Sequence, residues 1–220
     1  MSFPGYFIVL EGPECSGKTS SAKLLKERIE AMGKEVVLLL SHHDGEDKLA
    51  YHQRLLLLHP VIGASMSPTT QALCFAAARR SMRDNTILPA LERGAVVIMD
   101  RWVYSTIAIQ RDTQMLDEIN KIATGGLIPN FTFVLDITPE TTMQRLGARM
   151  GQQDILDMVS LEEHRKRREM YLDGNIYLNY LETDVYGTNW HLATLNSEIQ
   201  SIPELVESML RTITPVLQAA

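Results

Sequence analysis

Cysteine is almost absent: Cys15 and Cys74 are the only two in 220 residues. Two thiols cannot build the disulfide framework of a small secreted domain, and they suit a reducing, cytoplasmic setting. Long apolar runs are missing too. The run Phe7 to Leu10 is too short for a leader, and Met1 to Tyr6 carries no basic stretch before it. No segment approaches the ~20 apolar residues of a membrane span. Repeats, low-complexity tracts and Pro/Gly/Ser linkers are also lacking, so one domain over residues 1–220 is expected. Positive charge is in deficit, with 21 Lys and Arg against 27 Asp and Glu, a net charge of −6. Such a chain lacks the general basic face that displaces counterions from nucleic acid, although a local basic pocket stays open. Neither nucleic acid nor membrane is therefore expected as a partner. What remains, 45% hydrophobic and 22% charged, is the composition of a globular protein able to bury its own core.

Short apolar runs alternate with longer helical stretches. Tyr6 to Leu10, Val36 to Leu40, Ala95 to Met99, Phe131 to Ile137 and, more weakly, His191 to Leu195 read as strands. A helix is expected from Lys18 to Met32, stopped by Gly33. Another opens with Ser67-Pro68 as cap and first turn and runs toward Leu91, with Pro89 breaking its far end and Gly94 closing it. A last helix starts near Pro203. Residues Gly147 to Met158 lack apolar periodicity and read as a mobile loop. Strands separated by helices predict βαβ units and a parallel sheet.

Gly12-Pro13-Glu14-Cys15-Ser16-Gly17-Lys18-Thr19, followed by Ser20, fits G-x-x-x-x-G-K-[ST]. Gly12 and Gly17 let the backbone turn its N–H groups inward, and the helix opening at Lys18 adds its positive end. Lys18 then reaches the β- and γ-phosphates of a nucleoside triphosphate, and the Thr19 hydroxyl is placed to ligate Mg²⁺. Cys15 inside this loop is either a reactive thiol that ATP would shield or an inert one. Asp100 ends the third strand, where α/β sheets place ligands. It is either a second holder of Mg²⁺ or a turn cap.

Several arginines could serve a second, anionic substrate. Phe75 and Arg79 share a helix face and could stack a base and grip a phosphate; the alternative is a core Phe and a solvated Arg. Arg101 follows Asp100. Arg145 and Arg149 are again four apart, beside the loop, and could be an ordinary charged face. In Arg165-Lys166-Arg167-Arg168 most charges are expected to be solvated. Transfer between a triphosphate and a monophosphate gathers about six negative charges, and catalysis is mainly positioning and electrostatics. A monophosphate is already ionised near neutrality, so no general base is required. His42, His43, His52 and His59 show no metal-ligand pattern, and no zinc site is expected.

These segments together resemble the thymidylate kinase family of nucleoside monophosphate kinases over nearly the whole chain. The resemblance rests on Phe7 to Gly12 leading into the phosphate loop, Ser67-Pro68 with Leu73 to Arg79, and Pro89 to Gly94. It continues through Asp100-Arg101-Trp102, Ser105-Thr106, Ala108 with Gln110, Pro129 to Thr132, Leu135-Asp136, Pro139-Glu140, Arg145, His164-Arg165 and Tyr171. It implies a three-layer P-loop fold: a five-stranded parallel sheet flanked by helices, with a small lid at about residues 147–158. It implies ATP as donor, a deoxynucleoside monophosphate, first of all dTMP, as acceptor, Mg²⁺ as cofactor and a homodimer. By the same resemblance Phe75 stacks on the acceptor base, Arg79 contacts the base edge or acceptor phosphate, and Arg101 holds that phosphate. Glu14 lies near the acceptor sugar and metal, Thr106 and Gln110 line the acceptor pocket, and Arg145 and Arg149 sit by the donor phosphates and lid. Lys18, Arg101, Glu14 and Arg149 are the implied catalytic groups.

Three places depart from the family pattern. An Arg-Glu-Pro-Gly-Gly stretch is replaced by His42-His43-Asp44-Gly45-Glu46, so an acceptor-binding arginine is either missing or replaced by His42. Ile109 replaces a tyrosine, and Asp154-Ile155 replaces an Asp-Arg pair in the lid. They leave open a changed or broad base choice, such as dGMP. A non-catalytic P-loop binding protein is the other alternative; retained Lys18, Thr19, Asp100 and Arg101 argue against it, and no Asn-Lys-x-Asp motif of a GTPase is present.

Overall fold

The computed structural model describes residues 3–40, 47–111, 113, 115–149, 156–175, 184 and 186–219. Its centre is the strand β1 (Tyr6–Glu11), whose run Phe-Ile-Val-Leu is buried on both faces, as a strand inside a helix-covered parallel sheet must be. β1 pairs in parallel with β3 (Val96–Asp100) on one side and β4 (Phe131–Asp136) on the other. β2 (Val36–Leu40) lies outside β3, and β5 (His191–Asn196) outside β4. The five-stranded order is therefore β2-β3-β1-β4-β5. The expected parallel sheet flanked by helices is what is found.

Alternation along β1 and β3 sends successive side chains to opposite faces. Ile8, Leu10 and Ile98 meet α1 (Lys18–Glu30) and the last helix, α10 (Ile202–Ala219), through Leu25, Ile29, Leu205 and Met209. Phe7, Val9, Val97 and Met99 meet the opposite layer. That layer holds α2 (Lys48–Leu58), α4 (Pro68–Met82), α5 (Leu88–Glu92), α6 (Val103–Ile109) and α9 (Leu161–Leu172), with the short α3 (Ile62–Ser65) packed on α2 and α7 (Leu116–Thr124) on α4. Between β4 and α9 runs α8 (Pro139–Ala148).

Boundaries differ from expectation in instructive places. The helix opened by Ser67, whose side chain accepts from Thr70 N–H as expected of a cap, does not break at Pro89. It widens into a π turn over Arg83–Ile87, and Pro89 then sits in the first turn of α5, where a missing N–H costs nothing. Gly94 closes the stretch with φ 88°. Helix α1 ends at Glu30, two residues before Met32, and Gly33 follows with φ 81°. Ala95 precedes β3, and Ile137 lies beyond β4. Gly147 and Ala148, read as loop, are the last two residues of α8, and Arg149 is its C-cap. His42 to Glu46 and Asp154-Ile155 lie outside the described residues.

Candidate active site

The phosphate loop joins the carboxyl end of β1 to α1. Gly12 has φ 131°, and a Cβ there would collide with the Leu135 carbonyl oxygen of β4, so the loop can pass the sheet only with glycine. Gly17, at φ 88°, caps α1. Lys18 is buried, and its Nζ donates to the carbonyls of Gly12 at 3.0 Å and Pro13 at 2.5 Å and to Ser16 Oγ at 3.1 Å. Burial, reinforced by the Arg101 charge and resisted by Asp100, Glu14 and Glu11, lowers its pKa to about 8. Arg145 braces the loop, donating to the carbonyls of Cys15 at 3.1 Å and Ser197 at 3.0 Å. Burial pushes the Cys15 thiol above its ordinary pKa, with Arg149 opposing. That favours the inert reading of this cysteine.

Thr19 Oγ1 donates to Asp100 Oδ2 at 2.6 Å. Asp100 is 2% exposed, and its Oδ1 has no hydrogen-bond partner among the described residues. A buried carboxylate oxygen left over beside a hydroxyl is a fitting holder for Mg²⁺, which takes few protein ligands and keeps water and phosphate oxygens for the rest. Among the described residues no group of three or more His, Cys, Asp or Glu side chains that could hold a metal occurs.

Arg101 stands in the left-handed region, at φ 75°, a conformation that costs a non-glycine residue of order 1 kcal/mol or more. Its N–H donates to the Leu10 carbonyl at 2.9 Å. Its guanidinium donates to the Gly12 carbonyl at 3.1 Å, Ser105 Oγ at 3.0 Å, the Tyr171 hydroxyl at 2.9 Å and Glu14 Oε1 at 3.3 Å. Burial opposes its charge, but Tyr171, Glu14, Asp100 and Glu11 together raise its pKa further. Glu11, the last residue of β1, fixes the same turn from below. Its carboxylate accepts from Trp102 N–H at 2.7 Å and Ser105 Oγ at 2.6 Å, capping α6 across the sheet. Burial raises the pKa of Glu11 despite Ser105, Trp102 and Arg101. For Glu14 burial also raises, but Arg101, Arg167 and Lys18 win and hold it below the usual carboxylate value.

The basic run on α9 is only partly solvated. Arg165 and Lys166 are exposed, but Arg168 clasps Asp136 at 2.7 Å and Arg167 is 4% exposed. Arg167 donates to the Leu156 carbonyl at 2.8 Å and Glu163 at 3.3 Å, and it lies 3.7 Å from Glu14 Oε1. It is buried because three acceptors from three segments converge on it, something charge counting along a helix does not reveal. Arg149 pairs with Asp157 at 3.4 Å.

Of these groups, the loop from Glu14 to Ser20, Asp100, Arg101 and Arg149 line one cavity of about 620 Å³, whereas Gly12, Pro13 and Arg145 stand behind its wall. Its other half is lined by Phe75, Arg79, Thr106 and Gln110, so those four expected acceptor residues do come together. Arg79 is not a solvated helix charge: at 1% exposure it donates to the Trp102 carbonyl at 3.1 Å and to the Thr106 hydroxyl, with its guanidinium carbon 5.5 Å from the Trp102 ring centre. Sequence reading assigned no role to Glu11, Arg54, Trp102, Tyr171 or Arg167. Glu11 gave a signal, a carboxylate closing an otherwise apolar strand. Arg54, which also lines the cavity, gave none.

A family profile described as thymidylate kinase matches residues 10–181. The chain is similar to the thymidylate kinase of Pelotomaculum thermopropionicum, with 36% identity over 173 residues, 76% of this chain and 79% of the relative. To the thymidylate kinase of Thermomicrobium roseum it is 39% identical over 171 residues, 76% of this chain and 79% of the relative. To that of Lactobacillus helveticus it is 32% identical over 213 residues, 90% of this chain and 99% of the relative.

Proposed function

The chain belongs to the thymidylate kinase family, and from that premise we propose that it transfers the γ-phosphoryl group of ATP to dTMP, giving ADP and dTDP. The observation that supports the reading is one cavity lined by the loop from Glu14 to Ser20, by Arg101 and by Phe75 and Arg79. An oxygen of the acceptor phosphate attacks the γ-phosphorus, and the bond from that phosphorus to the β–γ bridging oxygen breaks. No proton need move, because the acceptor is already ionised.

Lys18 and the N–H groups of Gly12 to Ser20 bind the donor phosphates, with Arg145 and Arg149 beside them. Arg101 holds the acceptor phosphate against the γ-phosphate, and Glu14 orients Arg101 and faces the acceptor sugar. Phe75 stacks on the base; Arg79, Thr106 and Gln110 line its pocket, and His42 completes the acceptor phosphate site. Thr19 and Asp100 would hold Mg²⁺, whose charge would offset that of the β- and γ-phosphates. Within this reading residues 1–220 are one kinase domain, and a lid at about residues 147–158 excludes water from the transfer.

A homodimer fits the apolar side chains that α2, α3 and their surroundings leave exposed: Leu49, Leu55, Leu56, Ile62 and, at 72%, Val61. No helix among the described residues is long and apolar enough to cross a membrane, and the two free cysteines fit a cytoplasmic site of action. The test is ADP release with ATP and Mg²⁺ across dTMP, dUMP, dGMP, dAMP, dCMP and their ribose counterparts, with direct detection of the diphosphate. Dominance of dTMP supports the reading; binding of ATP without turnover of any acceptor overturns it.

A further inference from the structure

Glu14 is the one acidic side chain of the phosphate loop, and it is buried. Groups from three elements face it. Arg101, ahead of α6, comes to 3.3 Å of Oε1. From α9, Arg167 lies 3.7 Å from the same oxygen, and His164 Nδ1 lies 3.7 Å from Oε2. Lys18, at the head of α1, adds its charge. Burial outweighs the pull of Glu14 on His164 and, with Arg167 reinforcing it, holds the imidazole below its ordinary pKa of 6.5. His164 therefore brings no charge near neutrality, and three cations answer the carboxylate: Arg101, Arg167 and Lys18.

Two of the three, Lys18 and Arg101, line the cavity; Arg167 is not among the residues that do. It cannot touch a ligand there, yet it is fixed on two further sides. It donates to the Leu156 carbonyl at 2.8 Å and to Glu163 at 3.3 Å. Glu163 is gripped in turn by both terminal nitrogens of Arg111, at 2.8 and 2.6 Å. Alternating charges thus run Arg101, Glu14, Arg167, Glu163, Arg111, from the residue behind Asp100 to the far end of α6. A guanidinium anchored in this way stays in place when Glu14 moves. Facing Arg101 alone, Glu14 would cancel its charge and draw it away from the cavity. Sharing Oε1 with Arg167 leaves part of the Arg101 charge unmatched, and it keeps a buried carboxylate ionised.

We propose that Arg167 is a positioning residue for phosphoryl transfer: it holds Glu14 between two guanidiniums and so leaves Arg101 aimed, and still positive, at the acceptor phosphate. The inference rests on the kinase reading above and adds to it a residue that touches neither nucleotide.

Arg167→Met keeps most of the stem and removes the charge. It should lower kcat/KM for dTMP about tenfold while KM for ATP moves little. Losing a cation favours the neutral carboxyl, so the acid limb of the pH profile should move to higher pH. The carboxyl-carbon NMR signal of Glu14, assigned by its loss in Glu14→Gln, should titrate at higher pH as well. In the Glu14→Gln background Arg167→Met should cost less than about twofold more, because no carboxylate is left to hold. Equal losses in the two backgrounds overturn the proposal, and so does a Glu14 titration that Arg167→Met leaves unmoved. If Arg167→Met does not fold, Arg167→Gln, which keeps a donor for the Leu156 carbonyl but no charge, takes its place with the same expectations. Failure of the kinase reading looks different: the wild-type protein phosphorylates no acceptor, and the Glu14 titration still decides whether Arg167 holds that carboxylate.

Discussion

Consecutive residues, Glu14 to Ser20, line one half of the cavity, the proposed donor half, whereas Phe75 and Arg79 on α4, Trp102 before α6, Thr106 within it and Gln110 at its end line the other, the proposed acceptor half. The donor half bonds largely within itself, Lys18 reaching back to Gly12, Pro13 and Ser16, with Arg145 and Arg101 bracing it from outside. The acceptor half is held by contacts between elements far apart in sequence, such as Arg79 to Thr106 and Gln110 to Gln71. The first should tolerate changes elsewhere and fail abruptly from within. The second should degrade by degrees.

The sharpest break comes from Lys18→Ala. It should lower phosphoryl transfer by ~10³-fold or more while leaving acceptor binding in place; single-turnover assays and acceptor titration check both halves at once. Loss of acceptor affinity by more than a few-fold would contradict the separation. Arg101→Lys comes next, because Arg101 touches both halves. A point charge cannot replace a fork that reaches Gly12, Ser105, Tyr171 and Glu14 together. About 10²-fold should be lost in kcat, and the thermal midpoint should fall because Glu14 and Glu11 lose part of their compensation. Arg79→Lys should be milder and one-sided: KM for the acceptor rises about tenfold, and KM for ATP moves little.

The smallest effect is on pH. Lys18 titrates at about 8 in the free protein, so transfer at limiting ATP should decline as pH rises through that value, and saturating ATP should move the decline upward. Stability has the opposite sign. A lysine whose folded pKa lies below its ordinary 10.5 binds fewer protons folded than unfolded between those values, so its contribution to stability improves from about pH 8 to 10.5. A thermal midpoint compared between wild type and Lys18→Met across that range isolates the effect; an unchanged difference would remove Lys18 as its source.

The same contrast governs how much could be read from the chain alone. The sheet was legible because buried parallel strands are continuous apolar runs, and the phosphate loop because its residues are contiguous. Phe75 and Arg79 were legible as neighbours on one helix, but not the fact that Arg79 would lie under Trp102 and reach Thr106. Arg167, in a run whose charges were mostly expected to be solvated, is buried because its three acceptors come from the phosphate loop, Leu156 and its own helix. Pro89 was misread as a break because a π turn shifted the helical frame ahead of it. In both places long-range packing overrode a sound local rule.

The strand order carries a further consequence, for assembly of the chain during synthesis. β1 is made before its partners, yet it is hydrogen-bonded on both sides, to Val96–Asp100 and to Phe131–Val134. Until those segments leave the ribosome, Phe7 to Leu10 is an apolar strand with two open edges. Non-local pairing of this kind slows folding and exposes sticky surface meanwhile. The residues that follow it, Gly12 and Pro13, interrupt that surface and offer little to a neighbouring chain seeking to extend a sheet.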